Sequence, residues 1–227
     1  MPEIKIMATA AFKEAYIELV PQFERASGHG IVTTWASTNE IVARVEAGEA
    51  TDLAVMSANA IDELINAGKF AKGSRADVAT SWVAAAVRKG APKPDISSAD
   101  AFKRAMLAAK SIAYSTGPSG VYLIGLFKRM GISEQLAVKS MQVKGEPIGA
   151  VVARGEAEIG FQQMSELMPV SGIDIIGGLS KDIEEITAFA TGRHVDSKVA
   201  DAAGALTAFF KAPAAHALIR SKGMEPA

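Results

Sequence analysis

A chain of 227 residues with 24 Lys and Arg against 25 Asp and Glu, a net charge of −1 and 49% hydrophobic residues can bury a sizeable core. With no basic excess and only 6% aromatic residues, it lacks the footprint and the stacking platforms of a nucleic-acid binder. The absence of cysteine excludes disulfides, thiolate metal sites and thiol nucleophiles, and no apolar run reaches the roughly 18–20 residues of a membrane span.

Residues 4–8 alternate as a strand and lead through a loop at Thr9, Ala10 and Ala11 into a helix with Phe12, Ala15, Tyr16, Leu19, Val20 and Phe23 at helical spacing. Pro21 marks a kink in that helix and Gly28 its stop. Residues 31–35 form a second strand. Ser37-Thr38-Asn39-Glu40 then fits a capping box opening a helix through Ile41 and Val45 to Gly48. Residues 52–56 form a third strand, after which Ser57 caps a helix closed by Gly68. An apolar strand at 82–87 and a helix at 98–109 come next. The opening pattern then recurs: strand 111–114, small-residue loop 115–120, helix 121–130. A helix at 148–153, strands at 174–176 and 186–190, and an alanine-rich helical tail broken at Pro213 complete the chain.

One phrase is written twice. Residues 48–57 read GEATDLAVMS and residues 155–165 read GEAEIGFQQMS. Upstream, Ile41, Val45 and Gly48 match Ile148, Val152 and Gly155 at a constant spacing. Each copy is helix, glycine stop, turn, buried strand and Met-Ser. The expected fold is therefore α/β with two similar lobes, each a mostly parallel sheet flanked by helices. Chance recurrence of common helix–Gly–strand units is the plain alternative.

No nucleotide-binding, metalloprotease or nucleophile-elbow motif is present, and His29, His194 and His216 are scattered without metal-ligand spacing, so no metal, cofactor or catalytic residue is assigned. What recurs is Ser, Thr and Gly at strand-to-helix turns: Thr9, Ala10 and Ala11; Ser37 and Thr38; Ser57; Gly117, Ser119 and Gly120; and Ser165. Such turns emerge at the carboxyl ends of parallel strands, where N–H groups and helix dipoles accommodate an anion. Capping alone explains any one of these hydroxyls. Arg75 and Arg88 flank the 82–87 strand and could clamp a carboxylate, or be solvated surface residues. Gln162 and Gln163 end a buried strand, where alternation aims one of them at a shared face; Gln163 is taken as the ligand contact. The Gly117–Gly120 loop is read as a place where a ligand approaches the backbone closely. Bulk at Gly120 is expected to block that approach while leaving the fold intact.

The segments IKIMATAAF (4–12), FERASG (23–28), VEAGEATDL (45–53), GEAEIG (155–160) and KGMEP (222–226) resemble the molybdate-binding type of periplasmic solute-binding protein over nearly the whole chain. The loop TGPSGV (116–121) and the segment GFQQMSE (160–166) depart from true molybdate binders and are similar to a divergent subgroup that itself resembles aconitate isomerase. The resemblance implies a two-lobed fold of the periplasmic-binding-protein type II class. Lobe I would comprise residues 1–84 plus 192–227 and lobe II residues 85–191, joined by crossing strands, with the ligand in the cleft between them. It implies a monomeric clamp that closes on a small anion, an organic carboxylate rather than a molybdate-like oxyanion, linked to an ABC-transporter permease or to sensing. The alternative is an isomerase moving a proton on an unsaturated polycarboxylate, with Glu146 and Glu166 as the available acids. The start of the chain does not read as a secretory signal, so the expected location is cytoplasmic as written, and periplasmic if a signal has been removed.

Overall fold

The computed structural model describes residues 3–227. In chain order, β1 (Glu3–Ala8) passes through a 3-10 turn (Ala10–Phe12) into α1 (Lys13–Ser27), followed by β2 (Gly30–Trp35), α2 (Thr38–Glu46), β3 (Leu53–Ser57), α3 (Ala58–Asn66) and β4 (Ala76–Arg88). Next come α4 (Ala99–Ala108), β5 (Ile112–Ser115), α5 (Pro118–Arg129), α6 (Ser133–Ala137), β6 (Ser140–Val143), α7 (Ile148–Ala153), β7 (Ile159–Gln163) and α8 (Met164–Leu167). β8 (Ile173–Gly178), β9 (Ile186–Arg193), α9 (Ala200–Lys211), α10 (Pro213–Ser221) and β10 (Glu225–Pro226) end the chain. Two compact units result, Met1–Ser81 with Thr187–Ala227 and Trp82–Ile186, so the chain passes from one to the other within β4 and at the start of β9.

In the first unit β1 lies between β2 and β3, both parallel to it; Ala8 faces Trp35 on one side and Val55 on the other. β9 runs antiparallel to β3. Strand alternation divides the core between the two sheet faces. Ile4, Ile6 and Ala8 pack with Phe12, Tyr16 and Leu19 of the first helix and Leu206 and Phe210 of α9. Met7, Ala54 and Met56 pack with Ile41 and Val45 of α2 and Ile61 and Leu64 of α3. Phe12 and Phe210 meet edge-on at 5.4 Å, and burying each ring is worth about 1.5–3 kcal/mol.

The second unit repeats the plan. β5 lies between β6 and β7, both parallel to it, while β4 runs antiparallel to β7 and β8. The pair Ile6 and Leu53 in the first unit becomes Ile112 and Ile159 in the second, both shifted by 106 residues. The repeated GEA has a local cause. Gly48 and Gly155 have positive φ (85° and 78°), which glycine adopts without strain. Each closes its helix in the same way: Gly48 and Glu49 N–H groups bond the Val45 and Arg44 carbonyls, and Gly155 and Glu156 bond those of Val152 and Val151.

One local expectation changes, and two local features are added to the sequence reading. β6 (SMQV) is an edge strand of four residues, so its polar–apolar alternation is too brief to carry a strand signal. α1 continues through Pro21 to Ser27, where Gly28 caps it at φ 74°. The two Met-Ser pairs are not equivalent: Ser57 closes β3, whereas β7 closes at Gln163 and Met164 and Ser165 already belong to α8. The tail is broken at Pro213, where α9 and α10 bend by 64°, and no single helix among the described residues is long and apolar enough to cross a membrane.

Candidate functional site

Because β1, β2 and β3 are parallel, the turns that leave them share one rim of the first unit. Two backbone bonds tie those turns together: Thr9 N–H donates to the Val55 carbonyl (3.0 Å) and Ala36 N–H to that of Ala8 (3.1 Å). Ala10 and Ala11 lie in the 3-10 turn directly after Thr9. Ser37 is the N-cap of α2 and its Oγ accepts from Glu40 N–H at 3.4 Å, so capping accounts for it. The same account fails for its neighbours. Ser57 holds the N-cap position of α3, and Thr9 that of the 3-10 turn, yet neither side chain makes a capping bond. Thr9 and Thr38 are each only 6% exposed, and their Oγ1 atoms are buried without a hydrogen-bond partner. An orphaned buried hydroxyl costs about 1–3 kcal/mol, so two on one rim are an unmet hydrogen-bonding demand.

Arg75 is not free to clamp an anion. Its guanidinium takes both Asp77 oxygens (2.8 and 3.1 Å) and an Asp62 oxygen, so its charge is already neutralised. These contacts hold its ionisation even higher than usual. A cation close to this rim is Lys13, in the first turn of α1. Its ammonium stands 5.6 Å from the centre of the Trp35 ring. Sequence reading passed over it because a lysine at a helix start has no spacing signature. Arg88, exposed, lies beside Gly155 in the second unit.

In the second unit the corresponding turn is closed by its own hydroxyls. Ser115 Oγ accepts from Gly117 N–H (3.2 Å) and shares a hydrogen bond with Ser119 Oγ (3.0 Å). Ser119 is 1% exposed, and Pro118 opens α5 with Gly117 as N-cap. Ser115, shifted by the same 106 residues, stands where Thr9 stands in the first unit; the repeat was the signal that could have found it. Gly120 serves a different purpose from the one expected. A Cβ there would lie 1.7 Å from the Ser115 carbonyl oxygen, so the position is glycine because helix and strand end touch, not because a ligand needs the space.

Both glutamines at the end of β7 are buried. Gln162 Oε1 accepts from Ile148 N–H at the start of α7, and its Nε2 donates to Glu166 Oε1, both at 2.8 Å. Gln163 is the N-cap of α8 and Ser165 sits buried inside that helix, so Ser165 is no cap. Burial pushes the Glu166 carboxyl up to about 7, against the opposing pull of the Gln162 amide and the Gln163 backbone. Glu146, by contrast, is exposed and bonded bidentately to Arg154 (2.9 and 3.2 Å). Glu166 thus has the environment of a group that exchanges a proton near neutral pH.

The family described as bacterial extracellular solute-binding protein matches residues 4–225. A protein named aconitate isomerase from a Pseudomonas species is 38% identical over 229 residues, covering 98% of this chain and 87% of its own. The molybdate-binding protein ModA of Azotobacter vinelandii is 26% identical over 234 residues, covering 97% and 89%. Among solved structures, the periplasmic molybdate-binding protein of Azotobacter vinelandii superposes with a TM-score of 0.80 at 18% identity, over 97% of this chain and 98% of that one. The two-unit α/β architecture is thus that of the type II periplasmic binding proteins.

Proposed function

The chain belongs to the bacterial extracellular solute-binding protein family, and from that membership we propose that it binds a small anionic solute, an organic carboxylate in preference to a molybdate-like oxyanion. The observation that carries the reading is the pair of orphaned hydroxyls, Thr9 Oγ1 and Thr38 Oγ1, beside the helix-start N–H groups of one rim. Hydroxyls and N–H groups neutralise an anion without a fixed opposite charge, so the anion can also be released. The Ser115–Ser119 turn and Gln163 in the second unit supply a second set of donors of the same kind. Carboxylate is preferred because the 38% identical relative is named for a carboxylate substrate. In this reading the protein acts in the periplasm and delivers its ligand to an ABC-transporter permease.

The test is a thermal-shift screen with molybdate, tungstate, sulfate, succinate, citrate and both aconitate isomers. A ligand at 100-fold its dissociation constant should add about 2.7 kcal/mol of stability. Shifts with molybdate and tungstate alone would refute the carboxylate preference.

One observation favours a second reading. A carboxyl held near pKa 7, oriented by Gln162, could accept and return a proton on an unsaturated polycarboxylate, which is the chemistry of an aconitate isomerase. Following the ultraviolet absorbance of trans-aconitate separates the two. Turnover that Glu166→Gln abolishes would identify an enzyme, and binding without turnover a carrier.

A further inference from the structure

We propose that Lys13 is the charge-selecting residue of the first unit's rim, the contact that makes it prefer an anion with two or more carboxylates over one with a single charged group. This rests on the anion-binding reading above and adds the ligand's charge class to it.

Thr9, Ser37, Thr38 and Ser57 carry no formal charge, and Arg75 is consumed by Asp62 and Asp77. Donors of that kind suffice for one anionic group but offer nothing extra to a second. Lys13 differs on two counts. Among the described residues no carboxylate lies within ion-pair distance of its ammonium, which rests instead over the face of Trp35. The ring it rests over is also packed in place. Trp35 is met edge-on by Tyr16 at 5.1 Å, and Tyr16 OH is bonded to Thr33 Oγ1 at 2.5 Å, so the indole packs against an anchored neighbour.

The place matters as much as the charge. Trp35 faces Ala8 across the β1–β2 ladder, and Ala8 is the residue before Thr9. The Ala36 N–H bond to Ala8 sets the chain towards Ser37 and Thr38. Lys13 itself comes one turn after Thr9. The ammonium and the orphaned hydroxyls therefore hang from the same strand ends. A lysine poised over an aromatic face with no carboxylate partner has its full charge left for a ligand carboxylate. The plain alternative is that Lys13 only shields Trp35, in which case the charge of the ligand is irrelevant to it.

Calorimetric titration of wild type, Lys13→Gln and Lys13→Arg with tricarballylate, succinate, acetate and molybdate decides the matter. Lys13 is exposed, so both variants should melt as wild type does. Lys13→Gln should weaken tricarballylate about tenfold and acetate less than about twofold, and should flatten the salt dependence for the tricarboxylate. Lys13→Arg should restore most of the loss, because it keeps both the charge and the aromatic contact. Equal losses for all four anions, or none, would overturn the inference alone. Failure of the wild type to bind any of them would overturn the anion-binding reading with it.

Discussion

A Cβ added to Gly120 would stand 1.7 Å from the carbonyl oxygen of Ser115 and 2.8 Å from its carbonyl carbon. Both are backbone atoms at the end of β5, so no rotamer change relieves the clash. Gly120→Ala should therefore shift α5 off the strand and destabilise the protein by about 3 kcal/mol, with or without ligand. Urea unfolding measures it, and a midpoint equal to wild type would mean that the strand end and the helix do not touch as described.

Thr9→Val and Thr38→Val should act in opposite directions on stability and binding. Each removes a buried hydroxyl that has no partner, so the unliganded protein should gain about 1 kcal/mol, or about 2–4 °C in Tm. Each should also lose about 1.5–3 kcal/mol of binding to a carboxylate, the worth of a hydrogen bond to a charged group. Melting curves with and without succinate show both effects. Loss of stability in the free variants would show that these hydroxyls are bonded in the fold.

In the second unit, Ser115→Ala should be worse than Ser119→Ala. The latter breaks one shared hydroxyl bond and should cost about 1 kcal/mol of stability. The former also strands the Gly117 N–H, so it should cost about twice as much. Both should also weaken succinate, if this turn contributes donors of its own to the anion. Unchanged affinity in both would remove this turn from the site.

The Glu166 carboxyl should make stability fall as pH rises. Burial lifts it from 4.5 to about 7 in the fold, so the folded chain holds its proton more tightly than the unfolded chain. That stability is fully present below about pH 4.5, is lost between about pH 4.5 and 7, and amounts to about 3 kcal/mol. Glu166→Gln keeps a neutral group of the same shape and should remove this part of the pH slope. Denaturation at pH 5 and pH 8 tests it, and identical slopes in wild type and variant would mean that the carboxyl titrates normally.

Much of the fold is written in local pattern. The 3.6-residue spacing of Tyr16, Leu19 and Phe23, the Ser37–Glu40 cap and the glycines at 28, 48 and 155 each state a helix or its end within a few residues. The GEA repeat announced two like units because the same helix closure needs the same positive-φ glycine each time. The sequence by itself could not align the strand ends beyond that repeat. Ser57 and Gln163 are the equivalent strand ends, although the matching letters pair Ser57 with Ser165, because the turn from Gly155 to Ile159 is one residue shorter than that from Gly48 to Leu53, which only the ladder register reveals. Nor could spacing decide which polar groups are spent. Arg75 meets Asp62 across 13 positions and Gln162 meets the Ile148 N–H across 14, while Thr9 and Thr38 are left with no hydroxyl partner at all. Lys13 gained its importance only when β2 placed Trp35 beneath it, since contacts between separate elements depend on register and crossover, which local preference does not encode.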